Sequence, residues 1–314
     1  MSSRTVTAVI PAHNAAPFIG EALDSVLHQT IPPAQIIVVD DGSTDDTPAV
    51  ARRHDPSVHV IEQPQRGVSA ARNAGIAAAT SEFIAFLDAD DVWAPAKIER
   101  QLAAFAQQPA ATWSFTWYYE FGARLTHPEI PHELLNGTFD PELIAPDITV
   151  LTPAVMVRAS SKVRFPEWTG NNEDTVYFNE LLHEGSFVFV AEPLFGYRKH
   201  PGSAQAQPGS VERACRTMLE WVERQPPDRR ERVRRKVLGA LARQAEVAKW
   251  KRAWHDHAVM RDFCLKHWPA GDPKPLVLTE RVWPPIVYRV KDGFDRLNDS
   301  VGECAEELSA TGTR

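Results

Sequence analysis

The chain has 314 residues, 43% of them hydrophobic, and a formal net charge of −7. That is enough for one large domain plus a smaller one. No apolar run reaches the ~18 residues of a membrane span, the start Met-Ser-Ser-Arg-Thr-Val carries no secretory signal, and three scattered cysteines, Cys215, Cys264 and Cys304, suit free thiols in a reducing compartment.

A first strand is expected from Thr5 to Ile10, ending at Pro11-Ala12-His13-Asn14. Phe18, Ile19, Ala22, Leu23, Val26 and Leu27 then form a helical apolar stripe, stopped by Ile31-Pro32-Pro33. Ile36 to Val39 is a second apolar strand, ending in Asp40-Asp41. Thr44 or Asp45 can cap the helix that follows through Ala51. Val58 to Ile61 reads as a short strand, and Val68 to Ala79 as an Ala-rich helix in which Gly75 allows close packing on the sheet. Phe83 to Leu87 is a buried strand that ends in Asp88-Ala89-Asp90-Asp91, and Pro95 suits the first turn of a helix continuing to Ala106. Repeated strand–helix units imply an α/β fold, a mostly parallel sheet flanked by helices.

In such a sheet the ligand crevice lies beyond the carboxyl ends of the strands. Asn14, Asp40, Asp41, Asp88 and Asp90 all stand at those ends. If extended geometry continues through Ala89, Asp88 and Asp90 share a face. Two converging carboxylates and a substrate's phosphates suit Mg²⁺ or Mn²⁺. A polar turn with Asp91 as a helix cap is the other reading of that segment. No Gly-x-Gly-x-x-Gly follows the first strand and no Walker A sequence occurs, so neither dinucleotide binding nor a P-loop is supported.

Four blocks carry a resemblance to a known family: Val9-Ile10-Pro11-Ala12-His13-Asn14, Ile37-Val38-Val39-Asp40-Asp41-Gly42-Ser43-Thr44-Asp45, Arg66-Gly67-Val68-Ser69-Ala70-Ala71-Arg72-Asn73-Ala74-Gly75, and Phe86-Leu87-Asp88-Ala89-Asp90-Asp91. In order and spacing the chain resembles the family 2 glycosyltransferases of GT-A fold, closely over residues 5–105 and more weakly to about 205. The resemblance implies inverting transfer of a sugar from a nucleotide diphosphate donor, a UDP-sugar in the first instance, to a glycan or lipid-linked acceptor. It implies a catalytic domain over 1–208, with a nucleotide-sugar half to about 110 and an acceptor half beyond, and a smaller helical region over 209–314 with a frayed tail. Pro11, His13, Asn14, Asp41, Arg66, Asp88 and Ala89 fall at nucleotide-sugar positions. His13 stands where the family often has Tyr. Asp90, Asp88 and His200 fall at metal positions, for Mn²⁺ or Mg²⁺, and His suits Mn²⁺ better. Arg198 and Lys199 would help to neutralise the diphosphate. Asp174 matches the general base and Glu173 its supporting acid; the alternative for this pair is the acidic first turn of a helix through Leu182. Arg72 and Asn73 are either ligand contacts or ordinary helix residues. Trp168 suits stacking on a sugar or packing in a loop.

Residues 211–266 read as two or more helices broken at Pro226-Pro227, with 15 Lys/Arg against 8 Asp/Glu. The densest run, Arg229 to Lys236, is either a solvated face or a surface for an acidic partner or an anionic membrane. No nucleic-acid-binding motif accompanies it. Residues 267–294, with Trp268 and Trp283, would pack on the body or on a second subunit of a homo-oligomer. A cytoplasmic location, peripheral at the inner face of the membrane, is expected. Two other function classes fit a nucleotide-binding sheet with acidic strand ends: a silent sugar-nucleotide-binding protein and a nucleotidyltransferase. The latter usually has a Gly-rich basic loop where this chain has Pro11-Ala12-His13-Asn14-Ala15.

Overall fold

The computed structural model describes residues 4–122, 124–131, 134, 135, 150–169, 172–200, 209–251, 253–274 and 278. Continuous apolar runs form β1 (Val6–Ala12), β2 (Gln35–Asp41), β3 (Val58–Gln63) and β4 (Phe83–Phe86). β1 and β2 are buried almost throughout, as parallel strands covered on both faces must be. Helices α1 (Ile19–Leu27), α2 (Thr47–His54) and α3 (Val68–Ala78) follow the first three strands in turn. A two-residue strand, β5 (Val92–Trp93), precedes α4 (Lys97–Gln107). The sequence reading has no counterpart for β5, because two residues carry no periodicity.

The alternation along β2 sets the layers. Ile37 and Val39 pack against Ala71 of α3. Ile36 and Val38 join the cluster that contains Ile19, Ala22, Leu23 and Val26 of α1. Helices therefore cover both faces. Gly75 has the expected role: a Cβ there would collide with the Val9 side chain, so its absence lets α3 lie close on β1.

With β6 (Trp113–Gly122), β7 (Met156–Arg158) and β8 (Phe187–Lys199), the sheet order is β3-β2-β1-β4-β7-β6-β8-β5. The first four strands in chain order pair in parallel. Beyond them the sheet is mixed: β7 is antiparallel to β4 and β6, β8 is parallel to β6, and β5 is antiparallel to β8. The parallel strands aim β1, β2 and β4 at one edge, and β8 returns its end to the same region through β5.

Helix α5 (Glu173–Glu184) joins the sheet domain to three C-terminal helices, α6 (Ser210–Glu223), α7 (Pro227–Trp250) and α8 (Trp254–His267). Val176 of α5 belongs to the same apolar cluster as Cys215, Met218, Trp221, Val237 and Cys264. Trp221 Nε1 donates to Glu180 at 2.7 Å, which satisfies the buried indole. The expected break at Pro226-Pro227 is the start of α7, where proline lacks an amide that would have no helical partner. Cys215 and Cys264 are free and buried, and burial pushes both thiols up to about 12. Trp268 packs against the same cluster. Trp283 to Tyr288, Cys304 and the tail after about residue 300 lie outside the described residues.

Candidate active site

The ends of β1 and β2 are clipped together by side chains that the motifs supply. Asn14 adopts a left-handed backbone, φ 50°, a conformation Asn tolerates better than most residues. Its Oδ1 accepts the Thr44 N–H at 2.8 Å, and its own N–H donates to Ser43 Oγ at 2.9 Å. His13 Nδ1 donates to the Asp41 carbonyl at 2.9 Å, which assigns the proton to Nδ1. Nε2 is then an acceptor, facing Asn14 Nδ2 at 3.2 Å and Gln65 Nε2 at 3.3 Å.

Asp41 is buried and holds the loop after β3. Its carboxylate accepts from Gln63 Nε2 at 2.7 Å and from the Arg66 and Gly67 N–H groups at 2.8 Å each. Hydrogen bonds to a charged group contribute roughly 1.5–3 kcal/mol each, enough together to offset several kcal/mol of desolvation. A carboxylate offers about four acceptor positions, so about one remains for a ligand. The Arg66 guanidinium bonds Glu167 at 2.9 Å and does not reach the cleft wall.

The acidic segment after β4 corrects one premise of the sequence reading. The strand ends at Phe86, and Asp91 N–H bonds the Asp88 carbonyl at 3.0 Å, closing a turn. Asp88 and Asp90 are therefore not same-face residues of an extended strand. Asp88 Oδ1 accepts from Arg72 at 2.8 Å, while Asp90 Oδ2 meets His200 Nε2 at 2.9 Å. Asp90 and His200, both expected at metal positions, thus come together across 110 residues of sequence. Asp91 does not cap α4; it is buried, takes the Arg198 N–H at 2.8 Å, and leaves Oδ2 without a hydrogen-bond partner among the described residues. Burial first, then Asp88 and Asp90, hold its carboxyl well above the usual range.

Arg198 and Lys199 depart from their expected role. The Arg198 Nε donates to the Asp90 carbonyl at 2.7 Å, its Nη2 pairs with Glu21, and its guanidinium lies 4.3 Å over the Phe121 ring. Lys199 pairs with Glu120 at 3.1 Å. Arg198 positions the acidic turn, and neither side chain lines the cleft. Trp168 is covered by Arg224, 4.1 Å above its ring, and takes the packing alternative.

For Arg72 the sequence allows either a ligand contact or an ordinary helix position, and the structure shows a third role. Arg72 is 3% exposed and joins both sides of the site. Nη2 binds Asp88 at 2.8 Å, Nη1 binds Glu173 at 2.9 Å, and the guanidinium lies 5.0 Å over the Phe165 ring. Phe165 stacks on Tyr177 of α5 at 3.8 Å. Its neighbour Asn73 clamps the Phe165 backbone from both sides, at 2.9 Å each. Arginine and asparagine on an otherwise Ala-rich helix were the available signal.

At the start of α5, Asn172 is left-handed, φ 59°, and places Glu173 and Asp174 at the mouth of the helix. Asp174 Oδ1 accepts the Thr175 N–H at 2.6 Å. Burial, then the Glu173 charge, push the Asp174 carboxyl up to about 7, against the opposing pull of Arg72. A carboxylate in that range is suited to take a proton near neutral pH.

One cleft of about 740 Å³ unites these groups, a size that fits a bulky small molecule. Pro11, His13, Asn14, Asp88, Ala89, Asp90, Glu173, Asp174 and His200 all line it, with Arg72, Asp91, Tyr197 and the Leu151–Pro153 segment. Asp41 and Arg66 stand behind that wall. Among the described residues no three His, Cys, Asp or Glu side chains cluster as a ready metal cage. Asp90 with His200, beside Asp88, offers the carboxylate and imidazole donors that a divalent ion would use, the rest of its shell coming from ligand oxygens.

Residues 7–158 match the sequence profile of glycosyl transferase family 2. TuaG of Bacillus subtilis, named for teichuronic acid biosynthesis, is 36% identical over 199 residues, covering 62% of this chain and 78% of TuaG. An uncharacterized glycosyltransferase of Rickettsia conorii is 32% identical over 208 residues, 65% of this chain and 34% of that protein. The chain thus spans about a third of the length of its Rickettsia relatives. Among solved structures, TarS 1–349 of S. aureus with UDP-GlcNAc is similar at TM-score 0.61 and 17% identity, over 84% of this chain and 82% of that one. PcManGT from Pyrobaculum calidifontis, a mannosyltransferase in complex with GDP-Man and Mn²⁺, is similar at TM-score 0.57 and 19% identity, over 85% and 88%. At such identities the likeness speaks to the fold, a GT-A sheet with a helical C-terminal region.

Proposed function

The chain belongs to glycosyl transferase family 2, and from that membership we propose that it moves a sugar from a nucleoside-diphosphate donor, a UDP-sugar in the first instance, to the hydroxyl of a glycan or lipid-linked acceptor, with inversion at the anomeric carbon. The observation that carries this reading is a single cleft with Asp88, Asp90 and His200 on one side and Asp174 on the other.

Pro11, His13, Asn14 and Ala89 line the donor side, and Asp41 behind them keeps an acceptor position for a base N–H. Arg66 stands at the same loop. Asp90 and His200, with Asp88, would hold Mn²⁺ or Mg²⁺, which when bound supplies Lewis-acid stabilisation of the leaving diphosphate. Asp174 takes the proton of the acceptor hydroxyl as its oxygen attacks the anomeric carbon. Glu173, held by Arg72, keeps the start of α5 in place. The nucleoside diphosphate leaves from the opposite face of the sugar, so an α-linked donor gives a β-linked product. The catalytic domain spans 1–208 and the helical region 209–314 in this reading.

The test is a panel of UDP-N-acetylglucosamine, UDP-glucose, dTDP-glucose and GDP-mannose, scored with and without Mn²⁺ for release of nucleoside diphosphate and for the anomeric configuration of the product. Release of pyrophosphate from a nucleoside triphosphate instead would indicate nucleotidyl transfer. Retained configuration would remove single displacement and the role of Asp174 with it.

Docking at the inner face of a membrane through α7 is part of the same proposal, although its charge is less free than the sequence implies. Arg234 pairs with Glu223, and Arg235 pairs with Asp272 at 2.8 Å. Flotation with anionic vesicles tests it, and binding no stronger than to neutral vesicles would remove it.

A further inference from the structure

We propose that Arg72 is the positioning residue that locks the base side of the cleft to its donor side. This role rests on the proposed base role of Asp174, and the connectivity of the chain calls for it. Glu173 and Asp174 reach the cleft only through the start of α5, which follows a loop rather than a strand. A loop end fixes a side chain poorly unless something holds it. Arg72 does so from the third strand–helix unit, 101 residues away, through Nη1 to Glu173 at 2.9 Å. The same planar group spends Nη2 on Asp88 at 2.8 Å, so one rigid fork spans both walls.

An aromatic contact fixes the fork itself, and further contacts hold that aromatic ring. The guanidinium lies over Phe165, Phe165 stacks on Tyr177 of α5, and Asn73 holds the Phe165 backbone. The helix that carries Arg72 is in turn pressed on β1 by Gly75. Lysine could not replace this geometry, because one ammonium on a flexible stem cannot hold a planar two-way bridge. Charge is the second half of the role. The charged groups that bear on Asp174 are Glu173 on its own helix, Asp88 on the acidic turn and Arg72 on α3. Arg72 is the cation among them, so it favours the ionised form that accepts a proton.

Arg72→Lys and Arg72→Met test this with the donor that the panel shows to be turned over fastest. Arg72→Lys should fold and lose on the order of 10²-fold in kcat, the scale of a misplaced reacting group, with a smaller change in donor KM because the Asp90–His200 contact does not depend on it. Wild-type kcat in Arg72→Lys would overturn the proposal. Arg72→Met should move the acid limb of the kcat/KM profile upward by on the order of one pH unit, as loss of a nearby opposite charge requires. A second readout needs no turnover. The ¹³C carboxyl signal of Asp174 in the ligand-free protein, assigned by its disappearance in Asp174→Asn, should titrate higher in Arg72→Met by the same amount. An unmoved titration overturns the electrostatic half. Failure of the base reading is distinguishable: it shows as full transfer in Asp174→Asn, whatever the Arg72 variants do.

Discussion

Asp174 sits where ionisation is costly, and its proposed role as base needs it ionised. Its carboxyl is pushed up to about 7 by burial and by Glu173. A base must be deprotonated, so kcat/KM should rise with pH through an acid limb near 7. Asp174→Asn should remove that limb and cost about 10²–10⁴-fold in rate. The stability sign is opposite. Between the ordinary carboxylate range and about 7 the folded chain binds this proton more tightly than the unfolded chain, so the group's contribution falls as pH rises through that window. Thermal melts of wild type and Asp174→Asn across pH 4–8 should therefore diverge toward the upper end, in the variant's favour; parallel curves would contradict the assigned environment. Asp90 makes a different prediction. Asp90→Asn keeps a partner for His200 but loses a charged ligand, so metal-dependent turnover should vanish while the melting temperature holds. Full activity in excess chelator would remove the metal from the reaction. Asp41 holds structure, and in the proposed reading it also serves the donor site. Asp41→Ala should weaken nucleoside diphosphate binding by calorimetry and also lower stability, because Gln63 and two backbone N–H groups lose their acceptor.

At the scale of elements, the decisive feature is how closely α3 lies on β1 and what α4 buries. Gly75→Ala should destabilise by about 1–3 kcal/mol, the usual cost of overpacking. Adding Val9→Ala should recover part of it, because the Val9 side chain is what the new Cβ would meet. Denaturant midpoints of the two variants decide the point. Lys97 of α4 is fully buried, donates to Gln101 Oε1 at 2.8 Å and lies 4.5 Å from the Trp93 ring. Burial depresses its pKa well below the ordinary value. The unfolded chain then binds the extra proton, so wild-type stability gains as pH rises toward the ordinary lysine range. Lys97→Met lacks that gain. The difference in melting temperature between the two should shift toward the wild type from pH 7 to 10, and a difference independent of pH would contradict it.

For the whole molecule, α5 is the shared element. Its N-terminus carries Glu173 and Asp174, its Val176 enters the C-terminal apolar cluster, and its Glu180 receives the Trp221 indole. The helical region therefore bears on the base side of the cleft through α5. Trp221→Ala should cost on the order of 3–5 kcal/mol of stability. At temperatures where the variant is still folded, it should lower kcat more than donor affinity, since the proposed donor contacts lie on β1, β2 and the turn after β4. Equal losses in both would place the bundle outside the site's support.

What the sequence alone determined was local and periodic. Apolar runs located β1 to β4, a helical stripe located α1, an Ala-rich run located α3, and acids at strand ends located the cleft, because these patterns depend on near neighbours and on the rule that parallel strands open at one edge. Assigning Asp90 and His200 to metal positions and Asp174 to the base came from family resemblance, since no local pattern spans such separations. What only the tertiary structure decided was direction. A turn at Asp88–Asp91, rather than an extended strand, sends the two acids to different partners. Arg198, Lys199, Arg66 and Trp168, polar or aromatic and suitably placed in sequence, are taken up by Glu21, Glu120, Glu167 and Arg224. Arg72 became the bridge because a buried guanidinium needs two carboxylates, and only folding brought Asp88 and Glu173 within reach of one side chain.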